Sequence, residues 1–360
     1  MEVEKKGILF IAYNAENRAV WNAIKLHVEF AKELGQNISF IVDKKYIDIV
    51  KKDYPNSPIY SYSSLVDLAF KLVKIDASYI FSPVMFTTVS TLLAKVFTRK
   101  KIFYWVQGAV PEESFLRHNS KLRYYFLSTI EYLALLISDK NIFVSTEMKS
   151  YLERKTKRAF THSVIVPCIS EFSYDGSAKE RDSFVYIGGM SAWQRVDIML
   201  QMFNEILKLK PHAHLYIATL EKDKAQQEVK KHLDRKNVES VTVLSIDNRE
   251  EIPNFLSTKE YGFLIREDIV VNNVSSPIKL AEYLSCGVNL IISDAVSSYA
   301  SIIEEESAGI KISSNDNIVE KLQSFTPNSS ASLNVYKKYF SKEAHLSNYK
   351  QLLANNQEEN

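Results

Sequence analysis

The sequence predicts an α/β protein in which two doubly wound, Rossmann-like domains follow one another. Three observations carry this prediction. The chain has 360 residues, which is too many for one ordinary core. Short apolar runs alternate with helix-length segments along its whole length, as in parallel sheets covered on both faces. A polar, turn-rich segment, SEFSYDGSAKERD (170–182), separates the two halves.

The first half contains six apolar runs that are typical of buried strands. They are GILFIAY (7–13), ISFIVD (38–43), SYIFSP (78–83), KIFYWVQ (101–107), NIFVS (141–145) and SVIVP (163–167). Helix-length segments lie between most of them. We expect these elements to form a first domain over residues 1–170.

The second half repeats the pattern. Its predicted strands are SFVYIG (183–188), HLYIAT (214–219), VTVLS (241–245), YGFLIR (261–266), VNLIIS (288–293) and GIKIS (309–313). We expect a second domain over residues 182–331. The tail, about 332–354, is predicted to be a helix that packs back on the first domain.

Composition limits the location of the protein. Only two cysteines occur, far apart and in no metal-binding spacing, which favours a reducing, cytoplasmic compartment. The N-terminus has no apolar run typical of a signal peptide. The uncharged stretch 77–94 is interrupted by Pro, Ser and Thr, so we expect no transmembrane helix.

Charge is unevenly distributed between the halves. Residues 1–170 contain 24 Lys and Arg against 16 Asp and Glu, a net charge of +8, and the remainder carries −6. A basic half indicates an anionic partner. Nucleic acid, a membrane surface and a phosphorylated lipid all fit this charge.

The stretch SSPIKLAEYLSCG (275–287) predicts a helix start that binds an anion. Ser276 is a typical N-cap and Pro277 a typical first residue. Lys279 would add a full positive charge to the free N–H groups of the first turn. Arg266, at the end of the preceding strand, could reach the same anion, and Glu282 could accept hydrogen bonds from a ribose. The alternative is an exposed ion pair between Lys279 and Glu282, three residues apart.

At these residues the sequence resembles a known family. PIKLAEYLSCGVNLIISD (277–294) is similar to the donor-site segment of retaining GT-B glycosyltransferases, in particular glycosyltransferase family 4. Glu282 and Gly287 match the second glutamate and the glycine of that segment. Val274 stands where the family has its first glutamate. The run Pro-x-Lys-x-x-Glu-Tyr resembles a capsule- and O-antigen-type subgroup.

A second segment, VYIGGMSAWQRVDIMLQMF (185–203), resembles the start of the family's donor domain. Gly188, Val196 and Asp197 match the pattern, whereas Gly189 and Gln194 replace its usual Arg and Lys. The diphosphate charge would then be neutralised by Arg266, Lys279 or Arg195.

The resemblance implies roles for further residues. Lys279 and Arg266 would be catalytic, and the donor would contact Glu282, Ser275, Ser276, Pro277, Gly188, Gly189, Gln194 and Arg195. The first domain would face the acceptor and supply an acidic residue or histidine near the reaction centre, with Glu112, Glu113 and His118 as candidates. Asn14, Asn17, Arg18 and Gly108 are candidates for the acceptor side; a loop of solvated charges is the alternative for both sets.

The function implied is a retaining, hexosyltransferase-type reaction in the cleft between the domains of a GT-B fold. A UDP- or GDP-linked sugar would be the donor, and a saccharide or lipid-linked saccharide of surface polysaccharide assembly the acceptor. No Asp-x-Asp occurs, so we expect no metal, and we expect no cofactor and no nucleic-acid partner. The alternatives are a GT-B sugar-nucleotide epimerase and a catalytically idle binding or scaffold protein.

The segment LRYYFLSTIEYLALLIS (122–138) is apolar almost all round. Such a helix is either buried or in contact with a membrane. A helix covered within the first domain is one interpretation. The other is an interfacial helix that makes the protein peripheral at the inner face of an anionic cell membrane.

Overall fold

The computed structural model describes residues 7–354, which divide into two units. One unit contains the chain up to Pro167 together with the segment that begins at His345, and the other is Cys168–Ala344. Each unit contains one parallel sheet whose strands alternate with helices. The predicted α/β class with two Rossmann-like domains is therefore confirmed.

The first unit has a seven-stranded sheet in the order β3-β2-β1-β4-β5-β6-β7. Its strands are β1 (Gly7–Ala12), β2 (Asn37–Asp43), β3 (Ile59–Tyr62), β4 (Tyr79–Ser82), β5 (Lys101–Val106), β6 (Lys140–Phe143) and β7 (Ser163–Ile165). Its helices are α1 (Arg18–Glu33), α2 (Ile47–Asp53), α3 (Leu65–Lys74), α4 (Met85–Ser90), α5 (Leu92–Thr98), α6 (Val110–His118), α7 (Lys121–Ile137) and α8 (Thr146–Thr156).

The second unit has a six-stranded sheet in the order β10-β9-β8-β11-β12-β13. Its strands are β8 (Glu180–Ile187), β9 (His214–Ala218), β10 (Val241–Leu244), β11 (Lys259–Leu264), β12 (Asn289–Ser293) and β13 (Gly309–Ile312). Its helices are α9 (Val196–Leu209), α10 (Lys222–His232), α11 (Ile252–Ser257), α12 (Val270–Asn273), α13 (Ile278–Ser285), α14 (Ser297–Glu305), α15 (Ile318–Ser324) and α16 (Ser329–Tyr339).

The sequence prediction of the tail differs from the structure. Instead of one helix there are two, because α16 ends where the chain turns to bury Phe340 and a new helix, α17 (Lys342–Leu353), begins after it. The hydroxyl of Ser341 accepts a hydrogen bond from the amide of Ala344 at 3.2 Å, in the manner of an N-cap. In the first unit, the Tyr349 ring of α17 stacks on Phe30, with 4.2 Å between the ring centroids.

The strand order of the second sheet indicates where a ligand binds. Going along the chain, β9 and β10 extend the sheet on one side of β8, whereas β11 to β13 extend it on the other. In open parallel sheets, ligands bind outside the carboxyl ends of the strands at such a reversal. The residues that follow β8 and β11 are therefore the first to consider.

Two further features bear on the expectations from sequence. The helix α7 is not covered all round, because Leu122, Tyr125 and Phe126 are exposed to solvent. Within residues 7–354, no helix is both long enough and apolar enough to span a bilayer.

Candidate functional site

A cavity of about 500 Å³ opens at the carboxyl edge of the second sheet. Apolar side chains from the ends of β8 and β9 and from the loop before α11 form most of its wall, and three polar residues interrupt it. The lining residues are Ile187, Gly188, Gly189, Ala218, Thr219, Leu220, Glu221, Ile246, Asp247 and Ile252. An apolar cavity with few polar groups is typical of a small-molecule site.

Lys279 lies against the backbone at the mouth of this cavity. A β-carbon added to Gly188 would be 2.7 Å from Cε and 2.9 Å from Nζ of Lys279. It would also be 2.9 Å from the hydroxyl of Tyr186. Real β-carbons essentially never approach other atoms that closely, so only glycine leaves room for the ammonium group here. The glycine after β8 and the lysine in the first turn of α13 thus belong to one site.

Arg266 joins Lys279 at this edge. It is the second residue after β11, and its amide donates to the hydroxyl of Ser293 at 2.9 Å. Burial lowers the pKa of both cations. The Arg266 charge lowers the pKa of Lys279 further, to about 8, although the Glu282 charge acts in the opposite direction. Within residues 7–354, neither side chain forms an ion pair. Two close, partly buried cations without a carboxylate partner create a strong preference for an anion.

The predicted alternative, an ion pair between Lys279 and Glu282, is wrong. The buried Glu282 carboxylate instead accepts a hydrogen bond from Nη2 of Arg249, at 2.7 Å between Nη2 and Oε1. The guanidinium of Arg249 lies 4.9 Å from the ring centroid of Phe172, within range of a cation–π contact. Arg249 could not be predicted from the sequence, because nothing in its local pattern links it to Glu282, 33 residues away.

The helix α13 begins one residue later than predicted. Pro277 occupies the N-cap position, and the Ser276 hydroxyl does not cap the helix. Instead Ser276 accepts a hydrogen bond from the amide of Cys168 at 3.0 Å, and Ser275 donates to the carbonyl of Asn272 at 2.9 Å. Within residues 7–354, no side chain caps the first turn of α13. The amide of Leu280 bonds back to the carbonyl of Pro277 at 3.0 Å, and a ligand could accept from the N–H groups before it.

Gly287 ends the same helix. Its φ of +67° lies in the left-handed region, where glycine is favoured. The amide of Val288 bonds back to the carbonyl of Tyr283 at 3.0 Å, and the chain then enters β12.

Hydrogen bonds hold the loop after β8 in place. The Tyr186 hydroxyl lies 2.6 Å from both Oε1 of Gln194 and the carbonyl oxygen of Gly189. Oε2 of Glu221 accepts a hydrogen bond from the amide of Met190 at 2.7 Å. Gln194 is buried, so it positions this loop through Tyr186 rather than presenting its amide to the cavity. The sequence analysis missed Glu221, which has no motif of its own.

Arg195 is engaged with a neighbour. Its guanidinium donates to the carboxylate of Asp197 through Nε at 3.1 Å and Nη2 at 3.0 Å. These hydrogen bonds raise the pKa of Arg195 and compensate its charge. Of the three predicted diphosphate-binding cations, Arg266 and Lys279 are the two left without a carboxylate partner.

In the first unit, Glu112 belongs to a buried charge network. Its Oε1 accepts hydrogen bonds from Tyr124, Tyr151 and Lys155, at 3.2, 2.6 and 2.7 Å. Burial would raise the pKa of Glu112, but the bonds from Lys155 and Tyr151 outweigh it and the pKa is lowered. Lys155 also donates to Glu131 at 2.6 Å. This setting fits a role in packing α6 against α7 and α8.

The other candidates of the first unit lie at its surface. Glu113 pairs with Arg117, with 2.5 Å between Oε1 and Nη2, and His118 is exposed at the last residue of α6. The side chain of Asn17 caps α1 by accepting from the amide of Ala19 at 3.1 Å. These positions are not brought into one cluster.

Asn14 and Gly108 lie in the loops that follow β1 and β5, and Arg18 begins α1. Asn14 adopts a left-handed conformation with φ of 49°, and Arg18 is exposed at the first residue of α1. Gly108 has open space on the side where a side chain would be. In the described part of the chain, no group of three or more His, Cys, Asp or Glu is placed to hold a metal ion.

Residues 171–343 match the family model described as glycosyl transferases group 1. This match covers most of the second unit and includes the cavity, Arg266, Lys279 and Glu282. No curated protein matches the chain.

Solved structures resemble the whole chain at low identity. The Anabaena protein Alr3699/HepE in complex with UDP is 13% identical with a TM-score of 0.69, over 96% of this chain and 99% of that one. The lipopolysaccharide outer core galactosyltransferase WaaB, in its apo form, gives the same values. A structure described as a putative UDP-N-acetylglucosamine 2-epimerase from Listeria monocytogenes is 12% identical with a TM-score of 0.59, over 96% of this chain and 94% of that one.

These similarities establish the GT-B fold. Since an epimerase shares it, the fold alone does not select an activity. The match of residues 171–343 to the glycosyl transferases group 1 model, added to the fold, supports a glycosyltransferase.

Proposed function

We propose that this glycosyltransferase moves a sugar from a UDP- or GDP-linked donor to a saccharide or lipid-linked saccharide acceptor, with retention at the anomeric carbon. The observation that supports it most is the unpaired cation pair of Lys279 and Arg266 beside Gly188. A nucleoside diphosphate brings the two negative phosphates that such a pair attracts. The family resemblance of the surrounding segment implies retention.

The donor's diphosphate would lie between Gly188 and the first turn of α13. Gly188 has no side chain to hold a phosphate away from the backbone, and Lys279 is already next to it. The uncapped N-terminus of α13 adds N–H groups and partial positive charge. Arg266 approaches from the end of β11. Gly188 and the start of α13 belong to the folded second unit, so the backbone part of this site is in place before the donor arrives.

The nucleoside would occupy the adjoining cavity. Leu220, Ile246 and Ile252 offer apolar surface to a base, and Asp247 and Glu221 offer carboxylates to hydroxyl or amino groups. Glu282 would accept from the ribose with the oxygen that Arg249 does not occupy. Arg249 holds this carboxylate in one orientation.

Catalysis would come mainly from stabilising the leaving group. As the bond between the sugar and the diphosphate breaks, negative charge builds up on the departing phosphate oxygen. Lys279, Arg266 and the α13 N–H groups are aimed at that charge, and such preorganised donors are worth most in a partly dehydrated site. These groups supply the positive charge for which other enzymes use a metal ion, so we propose a metal-independent reaction.

Surface polysaccharide assembly in the cytoplasm is the proposed context. The basic first half, with a net charge of +8, favours an acceptor that carries phosphate, such as a lipid diphosphate saccharide. The similarity in fold to a lipopolysaccharide galactosyltransferase is consistent with this context.

Thermal unfolding with added nucleotides tests the proposal. UDP and GDP are each compared with the matching nucleoside, for the wild type and for Lys279→Ala. We expect one diphosphate to raise the melting temperature, because a ligand at 100 times its Kd stabilises by about 2.7 kcal/mol. The nucleoside should raise the melting temperature of the wild type less than the diphosphate does. The diphosphate should raise that of Lys279→Ala less than that of the wild type.

Three outcomes distinguish the alternatives. If no nucleoside diphosphate raises the melting temperature, the proposed donor site is wrong. That result would favour the alternative of a binding or scaffold protein without catalytic activity. Conversion of a UDP-sugar to its epimer without an acceptor would favour the epimerase. Transfer to an acceptor with inversion at the anomeric carbon, read by NMR, would contradict retention.

A further inference from the structure

The outer face of α7 is apolar and exposed. Leu122, Phe126, Leu133 and Leu136 follow the spacing i, i+4, i+11 and i+14, which puts them on one face of a helix. Their exposed fractions are 84%, 61%, 40% and 40%. Thr129 is the one polar residue between them on this face. Soluble domains rarely leave so continuous an apolar stripe uncovered without a partner for it.

Exposed apolar side chains also occur on α5. On α5, Val96 and Phe97 are 63% and 71% exposed. The two helices are tied together, because Nζ of Lys95 donates to the carbonyl of Ile137, the last residue of α7, at 2.5 Å. We call α5, α7 and the cations that flank them the α5–α7 surface.

Most of the charges that border this surface are positive, although Asp139, just after α7, pairs with Lys95 at 3.1 Å and with Lys101 at 3.8 Å. Arg99, Lys101, Lys121 and Arg123 flank the two helices and are exposed. Within Leu92–Thr98 and Lys121–Ile137, both fully described, the single carboxylate is Glu131. It is buried and bonded to Lys155, so it offers no negative charge to a partner.

We infer that the α5–α7 surface docks the protein on a membrane rich in anionic lipid. Apolar side chains with cations at their border match an anionic lipid interface, where the rings enter the headgroup region and the cations are attracted to the lipid charge. A second copy of the chain fits less well. A two-fold dimer through this surface would bring Arg99, Lys121 and Arg123 towards their own counterparts, with no exposed carboxylate on either helix to compensate.

The inference rests on the proposed function in one respect: docking would bring the enzyme to a lipid-linked acceptor. Docking itself does not depend on sugar transfer. Binding of the donor nucleotide, measured on the same variants, therefore separates a failure of docking from a failure of the proposed function.

Vesicle co-sedimentation of the full chain is the test. Vesicles of pure phosphatidylcholine are compared with vesicles containing phosphatidylglycerol, at low and high salt. The double variant Leu122→Ser/Phe126→Ser removes the apolar stripe, and Lys121→Glu removes a flanking cation. The matched controls are Ile49→Ser and Lys52→Glu on α2, which carries an exposed isoleucine and exposed lysines elsewhere in the first unit.

We expect the wild type and both controls to sediment with phosphatidylglycerol vesicles at low salt, and to be released at high salt. The double variant and Lys121→Glu should lose at least tenfold in apparent affinity. No sedimentation of the wild type at low salt would overturn the inference. A wild-type dimer that the double variant converts to a monomer, with vesicle binding unchanged, would overturn it in favour of a second copy.

Discussion

The ammonium group of Lys279 lies in the space that a side chain on Gly188 would need, 2.9 Å between Nζ and the added β-carbon. Gly188 directly follows β8, and Lys279 is the second residue of α13, 91 positions later in the chain. Since the first turn of α13 is uncapped and Arg266 is close, this contact brings a backbone surface, two cations and a helix N-terminus to one point.

Gly188→Ala should disable the site while leaving the fold intact. The added methyl group meets the far end of a flexible lysine and the Tyr186 hydroxyl rather than rigid backbone, so Lys279 can move away. We expect donor turnover to fall by about 10²-fold, the scale for losing one preorganised donor. Circular dichroism should stay close to that of the wild type, whereas the melting temperature should fall, because φ of Gly188 is +159° and side chains rarely adopt that conformation. Full activity in this variant would show that Lys279 need not lie against residue 188.

Lys279→Ala and Arg266→Ala should each lower turnover by about 10²-fold, because each removes a charge that stabilises the leaving group. Lys208→Ala is the matched control, since Lys208 is an exposed lysine paired with Glu205 in the same unit. Steady-state kinetics with a radiolabelled donor measure the effect. Equal rates in Lys279→Ala and Lys208→Ala would exclude the proposed role.

The affinity for a nucleoside diphosphate should depend on pH through Lys279. Its pKa of about 8 in the free protein means that the ammonium form is dominant at pH 7 and is lost as the pH rises above 8. We expect affinity to fall above pH 8, by up to about tenfold per pH unit. Calorimetry between pH 6.5 and 9.5 measures this fall. It should be absent in Lys279→Met, which carries no titrating group at this position.

The same pKa makes a prediction about stability. Unfolded lysine titrates near its ordinary value, so between pH 8 and that value the unfolded state binds more protons and stability rises with pH. Below pH 8 the buried charge of Lys279 therefore destabilises the folded state. Lys279→Met should raise the free energy of unfolding at pH 7, by on the order of 1 kcal/mol or more, while it abolishes activity. A loss of stability at pH 7 would contradict this account.

Arg249→Gln should weaken nucleotide binding through Glu282. Without the 2.7 Å ion pair, the buried carboxylate loses the group that orients it. We expect Arg249→Gln and Glu282→Gln to raise the Kd for the diphosphate by similar factors, and the double variant to add little beyond either single change. Additive effects would show that the two residues act independently.

Local patterns were sufficient to find the cations of the site. The glycine pair after a strand and the Pro-x-Lys helix start are each contained in a few residues, and the structure brings Gly188, Arg266 and Lys279 together. Local patterns did not predict three other residues of the site, Arg249, Glu221 and Asp247. Their positions depend on loops whose paths are set by the folded sheet. The ion pairing of Glu282 could not be read from spacing for the same reason.

The fold was predictable where strands are buried. Twelve of the strands coincide with apolar runs, whereas β3, at the sheet edge, was missed because IYSY alternates and is only partly buried. The break between α16 and α17 also escaped prediction, since it depends on Phe340 finding a place in the core. The exposed face of α7 could not be inferred, because the sequence pattern of an apolar helix does not tell whether other elements of the fold cover it.

Calorimetric titration of a nucleoside diphosphate and of the matching nucleoside, into the wild type and into Lys279→Met, tests the central claim most directly. The claim is that the Lys279 and Arg266 pair binds the diphosphate. We predict that the wild type binds the diphosphate at least tenfold more tightly than the nucleoside, and that most of this preference is lost in the variant while nucleoside affinity is unchanged. The same preference in both proteins would contradict the account.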